Sequence, residues 1–184
     1  MYLAMRAVRR LDLGVILLAS WGIFGLPCAQ AVKLRDGTVQ FVQPPQLVKA
    51  RVTDISPGVP ASYYFTINLP SSAGEPLQRV ILTQQQGKEN LAFNLKRIRA
   101  ETEVEQELTL ADVTSNREQK TVSIAFNPPI PPGQTVNIRL RSVKNPSFGG
   151  VYLFRVTAYP DGEKVRSQFL GFGRFQFTSP GGAF

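Results

Sequence analysis

The sequence of 184 residues predicts an all-β protein, an immunoglobulin-like β-sandwich made of two antiparallel sheets. Apolar and polar residues alternate in several runs, which is typical of half-buried strands. Proline, glycine and asparagine recur between these runs, where they favour turns. Strands at intervals of about 10–18 residues, without a long amphipathic helix, indicate a sandwich of around eight strands.

Residues 1–31 have the three parts of a secretory signal peptide. Three arginines precede an uncharged stretch at 13–26, and Ala29-Gln30-Ala31 matches a cleavage site. A transmembrane anchor is the alternative, but fourteen helical residues reach only about 21 Å, less than the roughly 30 Å hydrocarbon core. We therefore expect cleavage after Ala31, secretion to the periplasm or the extracellular space, and no transmembrane helix after processing.

Two other kinds of export signal are alternatives to a general secretory signal peptide. Arg9-Arg10 could begin a twin-arginine signal, but Asp12 interrupts the stretch that should become hydrophobic, which favours the general secretory route. Cys28 could accept a lipid, although Pro27 fits poorly before such a cysteine. We expect a linker or irregular lead-in at 32–43, the sandwich at 44–178 and a flexible tail at 179–184.

The composition excludes several chemistries. The chain has no histidine, so it has no imidazole base and no His-ligated metal. Its single cysteine, single tryptophan and both methionines lie within the leader. One cysteine cannot form an internal disulfide, and no cofactor is predicted. A mature chain of about 150 residues can bury enough surface to fold without disulfides.

The clearest strands are those with strict alternation. They supply the predicted core, which consists of Phe65, Ile67, Val122, Ile124, Phe126, Val136, Ile138 and Phe175. Less regular strands are expected at 47–53, 77–84, 91–98, 151–159 and 169–178. Asn127-Pro128-Pro129 is expected to be a turn. Gly171 and Gly173, predicted on one face between Phe169 and Phe175, indicate a bulge or a close approach of the facing sheet rather than a ligand groove.

Several ordered motifs resemble an uncharacterised secreted cyanobacterial family, domain of unknown function 2808. They are YYF (63–65), AGEPL (73–77), FNPPIPPG (126–133), VKNP (143–146), GGVYLF (149–154), YPDGEK (159–164) and LGFGR (170–174). The resemblance extends over about residues 44–177. It implies export from a cyanobacterium-like cell, but it implies no catalytic residue and no ligand.

Four glutamates, Glu101, Glu103, Glu105 and Glu107, stand at every second position. In an extended chain all four would lie on one side, where carboxylates could gather a hard cation such as Ca²⁺. No glycine-shaped loop accompanies them, so a solvated edge balanced by Lys96, Arg97 and Arg99 is the favoured interpretation. A glycosidase pair is disfavoured, because the mature chain offers no tryptophan platform beside these carboxylates.

The charge is unevenly distributed. The chain has a net charge of +8 and its predicted mature part +6, while residues 32–119 hold ten basic and ten acidic side chains. The excess therefore lies in residues 120–184, where it could attract polyanions. The candidate ligand-binding residues are Arg139, Arg141, Lys144, Tyr152, Lys164 and Arg166.

These observations predict a non-catalytic secreted envelope or extracellular binding module that contacts an anionic polysaccharide or an envelope protein. Export makes nucleic acid an implausible partner. Two alternatives remain: an accessory protein–protein interaction domain of an envelope assembly, joined by strand addition, and a cofactor-free hydrolase. The sequence leaves the oligomeric state open.

Overall fold

The computed structural model describes residues 32–33 and 36–178, so the predicted leader (1–31) and tail (179–184) lie outside the described residues. The described part is almost entirely β-structure with two short 3₁₀ turns. Its strands are β1 (Val32–Lys33), β2 (Val39–Gln40), β3 (Gln46–Val52), β4 (Ser62–Asn68), β5 (Leu77–Gln86), β6 (Arg99–Thr102), β7 (Leu110–Asn116), β8 (Thr121–Ile130), β9 (Thr135–Arg141), β10 (Gly150–Pro160) and β11 (Gln168–Phe177).

The strands form two antiparallel sheets that pack face to face. One sheet has the order β11-β10-β5-β8-β7, the other has the order β3-β4-β9-β6, and β1 pairs with β2 separately. Strand β11 packs beside β3 and closes one side of the sandwich. The predicted immunoglobulin-like sandwich is therefore confirmed.

The core lies between the inner faces of the two sheets. Strand β4 alternates strictly between buried and half-buried residues, as period-two patterning requires. Phe65 from β4 lies edge to face with Phe154 and Phe175 of the opposite sheet, at centroid distances of 6.1 and 5.6 Å. All eight predicted core residues are buried, which confirms that part of the sequence analysis.

The strand expected at 91–98 is not present. Phe93 makes one isolated bridge to Ser142, and a 3₁₀ turn follows at Leu95–Arg97. Leu91, Phe93 and Leu95 still alternate inward because the segment lies along the core without forming a ladder. Two strands that the patterning missed, β6 and β7, lie at sheet edges. Strand β7 exposes five of its seven residues, so its alternation is lost, while β6 alternates over only four residues, too few to form a recognisable pattern.

The prolines after Phe126 do not end their strand. Strand β8 continues to Ile130, but its register with β5 jumps from the Arg79–Ala125 pair to the Leu77–Ile130 pair. Pro128 and Pro129 therefore occupy positions that donate no hydrogen bond to β5, which is how a strand can hold residues without an N–H group.

A bulge in the last strand changes which face its aromatic residues occupy. The register of β10 with β11 shifts after the Val156–Gly171 pair, so that Thr157 pairs with Phe169. Phe169 consequently lies outside, edge to face with the exposed Phe172, and not on the inner face with Phe175 as predicted. Gly173 is buried because the facing sheet approaches closely: a Cβ there would lie 2.6 Å from Cε1 of Phe65.

The lead-in packs on the sandwich. Val39 and Phe41 are each only 6% exposed. The Val39 N–H donates to the carbonyl of Lys164, and the Arg166 N–H donates to the carbonyl of Val39. The segment from residue 38 onward is thus part of the folded domain, although the sequence analysis placed the boundary at residue 44.

Candidate functional site: an arginine face on the four-stranded sheet

The outer face of the four-stranded sheet carries a row of basic side chains. Strand β9 buries Val136, Ile138 and Leu140, so Arg139 and Arg141 must lie on the opposite, outer face. This orientation is the one the alternating sequence predicted.

Strand pairing adds residues to this row that are distant in sequence. Arg139 lies opposite Tyr64 of β4 on one side and opposite Arg99 of β6 on the other. Tyr64 in turn lies opposite Arg51 of β3. A single cross-strand row therefore holds three arginines and a tyrosine, since directly opposed residues share a face.

An open depression lies where this row meets the end of the sheet. It has a volume of about 270 Å³ and is lined by Ser62, Arg97, Arg99, Arg139 and Arg141. We call Arg51, Tyr64, Arg97, Arg99, Arg139 and Arg141 together the arginine face. Four guanidinium groups around one depression form a set of planar donors suited to sulfate, phosphate or carboxylate oxygens.

The charges of this face are only partly compensated. The Arg99 guanidinium contacts the Glu107 carboxylate at 3.3 Å, in an exposed pair that solvent screens. Arg99 also donates to the carbonyls of Lys96 and Ile98 at 3.0 and 2.8 Å, which hold its side chain beside the strand. No other ion pair of the described residues involves the arginine face, because the remaining one joins Lys164 to Asp36.

The guanidinium group of Arg51 stacks on the ring of Tyr64 in this row. The Arg51 guanidinium lies 3.8 Å from the centroid of the Tyr64 ring. Such stacking restrains both side chains and leaves the guanidinium edge free to donate. Tyr64 is half-buried on the outer face beside β9, while Tyr63 is fully buried on the other face.

Three of the five arginines of this face were not among the candidates predicted from the sequence. Arg97 and Arg99 were assigned to balance the neighbouring glutamates, and Arg51 belongs to the part of the chain with no net charge. Their position beside Arg139 depends on the pairing of β6 and β3 within the sheet. The sequence feature that could have indicated Arg51 and Arg99 as members of this face is their place on the polar side of a strand.

Three of the predicted basic residues lie elsewhere. Lys144 lies in the loop that follows β9 and borders a small pocket with Glu89. Lys164 pairs with Asp36 at 2.9 Å, and Arg166 follows in the segment that pairs with Val39. None of the three lines the depression of the arginine face.

Tyr152 is not a surface residue. It is 0% exposed, its ring packs edge to face with Phe177 at 5.4 Å, and its hydroxyl donates to the carbonyl of Phe148. Burial, followed by the nearby charge of Glu89, raises the pKa of its phenol. Strand β10 thus places Tyr152 on the inner face, apart from the arginine face.

The four glutamates do not lie on one side of an extended chain. Strand β6 ends at Thr102, the chain turns with Glu105 at a φ of 61°, and Glu107 then pairs with Glu101. Among residues 32–33 and 36–178, no group of three or more acidic, histidine or cysteine side chains is placed to hold a metal ion. Glu107 thus contacts Arg99 of the arginine face, and the four carboxylates do not converge on one cation site.

The described residues include no helix that is both long enough and apolar enough to cross a bilayer.

Comparison with solved structures agrees with the sandwich. The N-terminal domain of the Streptococcus gordonii adhesin Sgo0707 aligns with a TM-score of 0.51 at 15% identity, over 76% of this chain and 34% of that one. BcpA, the major pilin subunit of Bacillus cereus, aligns with a TM-score of 0.47 at 11% identity, over 79% of this chain and 46% of that one. The collagen adhesin (CNA) from S. aureus aligns with a TM-score of 0.40 at 10% identity, over 65% of this chain and 45% of that one. This chain therefore spans less than half the length of these three structures, and the likeness is one of fold.

The fold therefore places this protein among the two-sheet, immunoglobulin-like β-sandwiches. The chain belongs to the family described as "Protein of unknown function (DUF2808)", which matches residues 38–177. This match confirms the resemblance of the motifs to domain of unknown function 2808, while export and cyanobacterial origin stay predictions. A search of curated proteins finds no match to the sequence.

Proposed function

We propose that this protein is a non-catalytic binding module, secreted to the cell envelope or the extracellular space, that holds an anionic polysaccharide on its arginine face. The observation that carries the proposal is the row Arg51, Tyr64, Arg139 and Arg99, with Arg97 and Arg141 at its end. Fold likeness to the N-terminal domain of the Streptococcus gordonii adhesin Sgo0707 supports an extracellular role.

The shape of the face suits a polymer better than a small substrate. The depression is open and only about 270 Å³ in volume, below the roughly 300–1,000 Å³ of enclosed ligand pockets. A chain lying across the row could place successive anionic groups against successive arginines. Binding of this kind is driven by charge and weakens as salt screens it.

Retention of the purified protein on immobilised heparin and on immobilised polygalacturonate tests the proposal, with neutral dextran as the blank. The double variant Arg139→Glu plus Arg141→Glu should elute without retention, and the native protein should elute as salt increases. The matched control is Arg79→Glu plus Arg174→Glu, which makes the same charge change on exposed positions of the other sheet.

The control variant should keep most of the native retention. Equal loss in both double variants would show that only net charge matters, and it would refute a site on the four-stranded sheet. Retention of the native protein that persists in high salt would equally contradict a charge-driven site.

One observation favours a second candidate, an accessory protein–protein interaction domain. Strand β7 ends the five-stranded sheet, and most of its residues are exposed. An unpaired edge can accept a strand from a partner through main-chain hydrogen bonds. Association of that kind would survive high salt in a pull-down from envelope fractions, whereas binding through the arginine face would not.

A further inference from the structure

A second concave site lies between the two sheets and shares no lining residue with the arginine face. It is a cleft of about 530 Å³ between the start of β8 and the segment at 90–95, and Phe154 lies at its floor. Its volume falls within the roughly 300–1,000 Å³ of pockets that bind small molecules.

The floor of this cleft is apolar and belongs to the core. Phe154 is 2% exposed and Val122 is 5% exposed. Phe93 packs edge to face with Phe154 at a centroid distance of 6.0 Å and with Tyr63 at 5.4 Å. These rings are fixed by the sandwich itself, and the half-buried Leu91, Phe93 and Leu95 leave apolar surface open to the cleft above them.

The wall of the cleft is held from both sheets. The buried amide of Gln84 accepts a hydrogen bond from the Leu91 N–H at 2.9 Å and donates to the Glu89 carbonyl at 2.6 Å. On the other side, the Val143 N–H donates to the carbonyl of Ala92 at 2.8 Å. A loop fixed in this way is preorganised, which reduces the entropy lost when a ligand binds.

The rim of the cleft is cationic. Arg117 and Lys120, from the turn between β7 and β8, line it together with uncharged polar residues. Glu118 lies in the same turn but does not line the cleft, and the Glu89 carboxylate accepts a hydrogen bond from the Phe148 N–H. An apolar floor beneath two cations complements a molecule with an apolar tail and an anionic head.

We propose that this cleft binds an amphipathic anion, a long-chain carboxylate, with its tail against Phe154 and Phe93 and its carboxylate between Arg117 and Lys120. The site is independent of the proposed polysaccharide face. The variants that test one site leave the other unchanged, so the two proposals succeed or fail separately.

The probe is dodecanoate below its micellar concentration, titrated calorimetrically into the full chain, with dodecanol as the uncharged analogue. Dodecanoate should bind with a stoichiometry of one. Arg117→Gln plus Lys120→Gln should raise its Kd about three- to tenfold, because exposed charge contacts contribute modestly, and should leave dodecanol binding unchanged. Leu91→Trp, which replaces an aliphatic side chain of the cleft lining by a bulkier indole ring, should abolish binding of both molecules.

The matched control, Arg79→Gln plus Arg174→Gln, should bind dodecanoate like the native protein. Thermal unfolding checks that every variant is folded. Non-saturable binding, or saturable binding that Leu91→Trp does not reduce, would overturn the proposal. An equal loss of affinity in both charge variants would overturn it as well, because dodecanoate would then respond only to net charge.

Discussion

The hydroxyl of Tyr63 donates a hydrogen bond of 2.8 Å to the side-chain oxygen of Asn145, and both residues are 0% exposed. The amide nitrogen of Asn145 donates to the carbonyls of Asp54 and Ser56 at 2.8 and 3.1 Å. The Asn145 backbone N–H donates to the carbonyl of Val59. One buried amide in the loop that follows β9 thus joins strand β4 to the loop between β3 and β4.

Replacing this amide should destabilise the protein strongly. Asn145→Ala leaves the Tyr63 hydroxyl and two loop carbonyls without their partner, and we expect a loss of about 2–4 kcal/mol in the free energy of unfolding. Tyr63→Phe should cost less, about 1–3 kcal/mol. Urea unfolding of both single variants and the double variant measures the coupling, and strictly additive losses would show that the hydrogen bond contributes nothing.

The central phenylalanine should contribute more than any exposed one. Phe65 is 0% exposed and contacts the rings of the facing sheet, so Phe65→Ala should reduce the free energy of unfolding by about 3–5 kcal/mol. The control is Phe172→Ala, which removes a ring that is 49% exposed and should change stability by less than about 0.5 kcal/mol. Similar losses in the two variants in urea would contradict the assigned core.

The glycine of the last strand should resist even one added methyl group. In Gly173→Ala the new Cβ would lie 2.6 Å from Cε1 of Phe65 and 3.1 Å from Cβ of Ala50. Forcing these layers apart should cost about 1–3 kcal/mol, because the clash is steric. In a Phe65→Leu background the same substitution should cost less, and an unchanged cost in thermal unfolding would place the strain elsewhere.

The carboxyl of Asp36 should titrate at an unusually acidic pH. Hydrogen bonds from Lys164 and from Thr38 lower its pKa from the ordinary value of 3.8 to about 2. The charged form is therefore favoured in the folded state, so its contribution to stability is present above pH 4 and is lost as the pH falls towards 2. Carbon-detected NMR titration should find that Lys164→Gln moves this pKa back towards its ordinary value.

The arginines that the strand pairing adds should matter as much as those of β9. We expect Arg97→Glu plus Arg99→Glu to reduce retention on heparin to a similar degree as Arg139→Glu plus Arg141→Glu, because all four line one depression. Arg99 also bonds to two backbone carbonyls, so thermal unfolding must show that the variant is folded. Full retention by the Arg97/Arg99 variant would remove β6 from the site.

Patterning predicted the inside of this protein well and its edges poorly. Strands β4, β8 and β9 alternate because one face of each is buried, so their core residues could be read directly. Five of the seven residues of β7 are exposed, and the run 91–98 alternates but forms one isolated bridge and no strand, so neither followed the rule. A period-two pattern reports burial, and burial does not require a ladder of hydrogen bonds.

The amino-acid sequence by itself determined the β-sandwich, the outward position of Arg139 and Arg141, and the absence of histidine. Only the tertiary structure decided that Arg51 and Arg99 share a row with Arg139, since cross-strand neighbours depend on which distant strands pair and in what register. The tertiary structure also decided on which face of their strands Phe169 and Tyr152 lie. A bulge moved Phe169 outward, while the inner face of β10 buried Tyr152.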